Sequence, residues 1–463
     1  MSKSRLALTV VLALSLALGA FGVAAPARAQ DGPVTLTFTC RCVAGGVNNN
    51  LVVWLTTYVI PNFEEMMAEQ GRDVTIELVE FGGSDEQLKE QYALDLSVGS
   101  GYDLMSFDGF WVPEFVGAGL LKPLEEVVGP QVNEWDGWDH ISPGVQEILS
   151  YQGQLYGAPA GTDVRQIFYR TDLFEQAGIE MPWQPTSWNE ILDAARALKE
   201  AGVAIPIQLN AGTPMGEATT MQGYFMALLG AGHHLYDFEQ NKWIVSSPGI
   251  LDTLNFYKTI YIDEELGDAR MQLLQDGRNR SFVEFRDGNI GMLVEGDWFW
   301  RSVIAPGSET GIENRNEIVS WAMMPAKEPG AGFNGQDFVT ISGGTGYVIN
   351  PNTEHPQEAW EFLSYMSDRD AVRAFQLIQP RISFRDDVEV AGDPVMTAMA
   401  EALLPYTTVR PMLPEYPLVS IEIQLMTERV VSGEMTPEEA MQAFDEAVTE
   451  IAGEENVLRI PLE

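Results

Sequence analysis

Basic residues are scarce in this chain: 27 Lys and Arg stand against 67 Asp and Glu, a formal charge of −40. A field of that sign repels phosphate backbones and anionic lipid headgroups, so neither nucleic acid nor a membrane surface is an expected partner. Histidine is rarer still. Four residues, two of them adjacent at His233-His234, leave little material for a catalytic triad or a metal cluster. No Gly-x-Ser-x-Gly elbow, His-Glu-x-x-His helix or Gly-x-x-x-x-Gly-Lys-Ser/Thr loop occurs. Hydrolysis of glycans needs two carboxylates flanking one bond, and no pattern selects such a pair among 67 acidic residues. Catalysis, cofactor and metal are all without support.

Cysteine is nearly absent. Cys40 and Cys42 stand one residue apart in Leu36-Thr-Phe-Thr-Cys-Arg-Cys-Val43, and in an extended strand both point to one face. An oxidising compartment favours pairing them, against the strain of so short a loop. Two free thiols and a two-sulfur metal pair are the alternatives, the last a poor site without nearby His or Cys.

Long apolar runs are missing after the N-terminus. Lys3 and Arg5 precede an almost wholly apolar Leu6–Ala25, and Ala27-Arg28-Ala29 offers small residues for cleavage. Residues 1–29 read as a signal peptide, with Gln30 as mature N-terminus and a periplasmic or extracellular destination. Cys40 lies too far downstream for a lipid anchor. Without Lys3, Arg5 and Arg28, 24 basic residues face the 67 acidic ones.

The rest alternates strands with longer helices, the pattern of an α/β fold with largely parallel sheets. Its length exceeds what one core usually serves, so two domains are expected. Strands are predicted at Val34–Cys40, Val74–Val79, Asp103–Phe107, Gln154–Pro159, Gln166–Tyr169, Ile290–Val294 and Gly343–Ile349. A helix over Asn50–Met67 is expected to break at Pro61. Another runs from Asp85 to Val98. Ser187-Trp-Asn-Glu190 reads as a capping box, and Thr436-Pro-Glu-Glu439 as a second capped start. Ala160-Gly-Thr-Asp163 is a crossover between domains. Repeats and low-complexity tracts are absent.

Aromatics fall beside predicted strand ends: Phe110 and Trp111 after one, Trp298 and Trp300 after another. Tyr416 sits in a Pro-rich loop, Arg410-Pro-Met-Leu-Pro-Glu-Tyr-Pro417. Ligands of open α/β sheets bind beyond the carboxyl ends of strands. There an aromatic face can stack on a sugar ring while charged neighbours bond its hydroxyls. Asp108, Asp163, Arg165 and Asp297 supply such neighbours. The plainer reading of any lone Trp is that it belongs to a core.

Eight segments in order carry a resemblance. They are Val74–Val79, Leu94–Asp103, Gly117-Ala-Gly-Leu-Leu-Lys-Pro-Leu124 and Tyr169-Arg-Thr-Asp-Leu-Phe-Glu-Gln-Ala-Gly178. Pro185-Thr-Ser-Trp-Asn-Glu190, Gly296-Asp-Trp298, Gly343–Asn350 with Glu358-Ala-Trp-Glu-Phe362, and Ser432–Ala440 complete the set. Over residues 34 to 452 the chain resembles the sugar-binding group of extracellular solute-binding proteins of ABC importers, maltose-binding protein among them.

The resemblance implies a two-lobed periplasmic binding protein fold of type II with the ligand cleft between lobes. Residues 30–160 plus 335–385 form one lobe, and 161–334 plus 386–463 the other. It implies a small sugar ligand, the transmembrane subunits of an ABC permease as partners, and a monomer. Trp111 and Trp298 fall where the family stacks aromatics on sugar, with Asp163 and Tyr416 nearby. Cys40–Val43 ends the first strand facing the cleft; its Cys-Arg-Cys departs from the usual residues and leaves Arg41, Asn48 and Asn49 to replace them. One rival is an anionic solute, such as a glycerol phosphodiester or sugar acid, held by Arg165, Arg381 and Arg410. Another is an exported glycan hydrolase.

Overall fold

The computed structural model describes residues 32–141 and 143–462, so the signal-peptide reading of 1–29 lies outside the described residues. Eleven strands frame the site: β1 (Val34–Cys40), β2 (Val74–Glu80), β3 (Leu104–Asp108), β4 (Gly157–Thr162), β5 (Arg165–Arg170), β6 (Ile205–Gln208), β7 (Ile290–Gly296), β8 (Val319–Ala322), β9 (Phe338–Ser342), β10 (Gly344–Ile349) and β11 (Thr407–Val409). They form two main sheets, one ordered β2-β1-β3-β10-β4 and the other β8-β5-β7-β6.

Each sheet is covered on both faces, as the period-2 alternation of its strands requires. In the first sheet Leu36 and Phe38 point into a core with Phe63, Trp360 and Phe362, while Met105 and Phe107 face Tyr92, Trp111 and Phe115. In the second, Ile167, Tyr169, Met292 and Val294 face one core and Phe168 and Leu293 the opposite one.

Seven helices matter here: α1 (Asp85–Ser97), α2 (Trp188–Glu200), α3 (Pro356–Ser367), α4 (Arg369–Ile378), α5 (Pro394–Leu403), α6 (Tyr416–Val431) and α7 (Pro437–Ala452). α3 and α4 pack on the first sheet; α5, α6 and α7 pack on the second. The chain therefore passes between the lobes at Asp163-Val164, at Gly343, and again between α4 and α5.

The sheets are mixed, not largely parallel. β1 runs parallel to β2 and β3, but β10 runs antiparallel to β3 and β4; β7 is parallel to β6 and antiparallel to β5. Crossovers explain the reversal. Resident strands run toward the cleft and end there, whereas β5 and β10 enter from the opposite lobe and start there.

Two helix expectations also change. Pro61 does not break its helix: residues Asn49–Glu69 stay helical, with a π-type turn at Leu55–Val59 directly before it. Widening that turn accommodates the imide nitrogen that cannot donate. Ser187 caps α2 by accepting from Glu190 N, yet the Glu190 carboxylate accepts from Thr186 N at 2.7 Å rather than completing the box. Thr436 and Glu439 form the full reciprocal pair at the start of α7. No helix among the described residues is long and apolar enough to cross a membrane.

Candidate functional site

The facing strand ends gather charge from both lobes. Asp108, the last residue of β3, accepts from Arg410 Nη2 at 2.9 Å. Arg410 follows β11 and donates through Nη1 to Glu217 Oε2 at 2.8 Å. Glu217 in turn accepts from Tyr416 Oη at 3.1 Å and from Ser420 on α6. The Arg410 guanidinium lies 3.9 Å from the centre of the Phe110 ring, and Phe110 meets Tyr416 edge-on at 5.9 Å. One cation is thus shared by two carboxylates and an aromatic face across the cleft. Burial raises Asp108 to about 6, with Arg410 pulling the other way.

A second cluster surrounds the crossovers. Asp163 pairs with Arg165 and accepts from Gly343 N at 2.7 Å, tying two crossovers together. Arg165 is buried, donates to Ile341 O at 2.8 Å and lies 4.9 Å over the Trp298 ring. Asp297 is fully buried just past β7 and accepts from Arg301 Nε at 2.8 Å. Burial raises its carboxyl above the usual range, with Arg301 opposing. Arg381, on the α4–α5 crossover, is pushed down to about 10 by burial and then by Arg301.

Below these, Glu295 on β7 is fully buried and takes Arg278 bidentately at 3.0 and 2.9 Å. It also accepts from Asn210 Nδ2 at 3.2 Å. Arg278 feels Asp85 and Glu86 of the other lobe, and Glu86 reaches the neighbourhood of Gly216.

The sequence-predicted residues separate on inspection. Asp108, Asp163, Arg165, Asp297 and Trp298 lie at the facing strand ends, with Trp298 half-buried. Trp111 does not: it is 3% exposed and packs edge-on against Phe107 and Tyr92. The cause is the single helical turn Gly109–Trp111, which rotates Trp111 into the core and Phe110 toward the other lobe. Trp300 is likewise core, its Nε1 bonded to Asp393 and its ring under Arg315. After Gly296 the chain turns helical, so residues two apart no longer share a face.

Tyr416 is not in a loop but opens α6, with Pro417 in the first turn, and is fully buried behind Glu217. Arg41 is engaged within its own lobe, donating to Gly83 O at 2.9 Å and pairing with Asp85 at 3.3 Å. Cys40 and Cys42 form a disulfide and are fully buried. Residues the sequence reading passed over are Glu217, Ser420 and Arg301. Glu217 stands in no motif, and nothing distinguishes it from the other acidic residues before folding.

Residues 54–373 match the sequence profile of the bacterial extracellular solute-binding proteins. The chain belongs to that family. Among its relatives, a Brucella abortus binding protein is 25% identical over 285 residues, 61% of this chain and 62% of the relative. The mannitol-binding protein of Pseudomonas aeruginosa is 25% identical over 246 residues, 52% of each chain. This solute-binding protein therefore spans about three fifths or less of these curated relatives. A solved solute-binding protein of Thermotoga lettingae, bound with α-D-tagatose, matches at TM-score 0.74 and 27% identity, covering 90% of this chain and 99% of the other. The two-lobed architecture is that of the family.

Proposed function

We propose that this chain is the solute-capturing component of an ABC importer, closing its lobes on a neutral sugar or polyol and delivering it to a membrane permease. The carrying observation is the Asp108–Arg410–Glu217 bridge: groups from both lobes converge where the strands of both sheets end. Closure of that kind biases an open–closed equilibrium by contacts made only when the lobes meet. No bond making is needed, and transport energy comes from the partner's ATPase. The mannitol- and tagatose-binding relatives support the ligand class.

The ligand-facing set is Asp108, Asp163, Arg165, Asp297, Trp298 and Arg410, with Phe110 replacing Trp111. Lobes of 30–160 plus 335–385 and 161–334 plus 386–463 are supported in outline by the packing of α3 and α4 on one sheet and α5 to α7 on the other, while the crossovers move the bound at 160 to Asp163-Val164 and the bound at 335 to Gly343. Export by a signal peptide cleaved near Ala29, a periplasmic or extracellular location without lipid anchor, and a monomer complete the reading. Of three arginines suited to an anion, Arg165 and Arg410 already face carboxylates, which weighs against an anionic solute.

The test is a thermal-shift screen of residues 30–463 against sugars, polyols and sugar acids. A ligand at 100 times its Kd adds about 2.7 kcal/mol of stability. Silence from every sugar and polyol, with the protein folded, overturns the proposal.

A further inference from the structure

Arg165 and Gly296 stand opposite each other on the antiparallel strands β5 and β7. Side chains at paired positions share a face of the sheet, and here one of the two has none. Gly296 lies outside the left-handed region, so its backbone does not call for glycine. The space does. A Cβ on Gly296 would meet the six-membered ring of Trp298, which folds back over the strand end. The ring takes the place of the missing side chain and comes to lie beside Arg165, whose guanidinium sits 4.9 Å from its centre.

Arg165 is itself fixed from several sides. Its Nη1 pairs with Asp163 and donates to Ile341 O at 2.8 Å, and its Nε donates to Gln222 Oε1 at 3.4 Å. Thr340 Oγ1 accepts from Arg165 N at 2.8 Å and donates to Arg165 O at 2.9 Å. The side chain is 6% exposed, and most of its donors are spent within the protein. Little of it remains to meet a solute. Trp298, by contrast, is half-buried at the cleft. A buried cation over an aromatic face attracts the ring, and an indole otherwise free to change rotamer is held in one pose.

We propose that Arg165 and Gly296 are positioning residues for Trp298: Gly296 supplies the space, and Arg165 the contact, that hold the indole ready for a ligand. This rests on the reading of Trp298 as a ligand-facing ring, and it gives Arg165 a task of its own, since it serves the ligand through the ring. With the guanidinium on one face, the other is kept for the solute. The indole is then ordered when the chain folds and not when the solute binds, and preorganisation of that kind raises affinity.

The experiment combines fluorine NMR of fluorotryptophan-labelled protein, residues 30–463, with calorimetry against D-mannitol, ribitol, D-tagatose and maltose. The chain has 11 Trp residues, and Trp298→Phe assigns one resonance by deleting it. Arg165→Met and Gly296→Ala should each move that resonance while the others stay, a pattern that general loss of structure does not give. Arg165→Lys, which keeps a cation near the ring, should move it less. Gly296→Ala retains Arg165 and its bonds, so the ring is tested even where Arg165→Met does not fold. Either variant should weaken a neutral probe about tenfold, the scale of one desolvated cation–π contact. In a Trp298→Ala background, Arg165→Met should cost no further affinity, because its effect passes through the ring. A Trp298 resonance unmoved in folded Arg165→Met and Gly296→Ala overturns the positioning and leaves the sugar reading standing. An undiminished loss on adding Arg165→Met to Trp298→Ala also overturns it, since Arg165 then touches the solute itself. Silence from every probe, with the resonance moved, upholds the positioning and overturns the sugar reading.

Discussion

Asp108 and Arg410 meet across the cleft at 2.9 Å although 302 residues separate them in the chain. Asp108 ends a strand of the first lobe, and Arg410 is anchored to the second by Glu217. Their contact exists only when the lobes are together, so whatever alters it alters closure.

That contact carries a pH dependence whose sign follows from burial. In the closed form Asp108 is raised to about 6; with the lobes apart and the carboxyl in water it returns toward about 3.9. Closing therefore takes up a proton between these values. The favourable contribution is complete below the open-state value and is lost as pH rises through the closed-state one. Ligand affinity should strengthen as pH falls from 7 to 5. Calorimetry at pH 6 in buffers of different ionisation enthalpy should register proton uptake, and Asp108→Asn should flatten the profile. Proton release on binding would contradict this.

Phe110 and Trp111 should separate function from stability. Trp111→Ala removes a ring from the core of the first lobe and should cost about 3–5 kcal/mol in urea unfolding. Phe110→Ala should cost much less stability while weakening ligand binding, because it removes the surface under Arg410. Equal stability losses with unchanged binding would show that both rings are core.

Glu295 offers a test of the second lobe's floor. Glu295→Ala leaves Arg278 and Asn210 without their shared acceptor and should destabilise by about 3 kcal/mol, the scale of a broken buried pair. Replacing both members, Glu295→Leu with Arg278→Met, should recover much of that loss. Chemical denaturation of the three proteins measures it.

The disulfide should be silent to reagents in the folded state. Cys40 and Cys42 are paired and fully buried, so iodoacetamide should add no mass to native protein. Two additions should appear only after reduction in denaturant. The short loop should stabilise little, since the effect grows with loop length; the Cys40→Ala, Cys42→Ala protein should melt within a few degrees of wild type.

Local signals were legible in the sequence wherever they depend on neighbours in the chain. Ser187 and Thr436 cap helices as read, and the strands appear within a few residues of their predicted bounds. The crossover at Asp163 was visible as a polar break between two apolar strands. What failed was direction. A residue just past a strand points wherever the next turn sends it, so Trp111 and Trp300 went inward while Phe110 and Trp298 did not. Strand polarity also failed, because a βαβ reading assumes that each strand stays in the lobe where its predecessor lies. Glu217 and Arg410 needed partners hundreds of residues away, and no local pattern announces that.

The position of β10 has a consequence in time. It lies between β3 and β4, yet it is made of residues 344–349, long after both neighbours have left the ribosome. At about 5–20 residues per second, the first lobe waits many seconds for the strand that completes its sheet. Until residues 344–349 are made, nothing joins β3 to β4, so the first sheet stays incomplete through that interval.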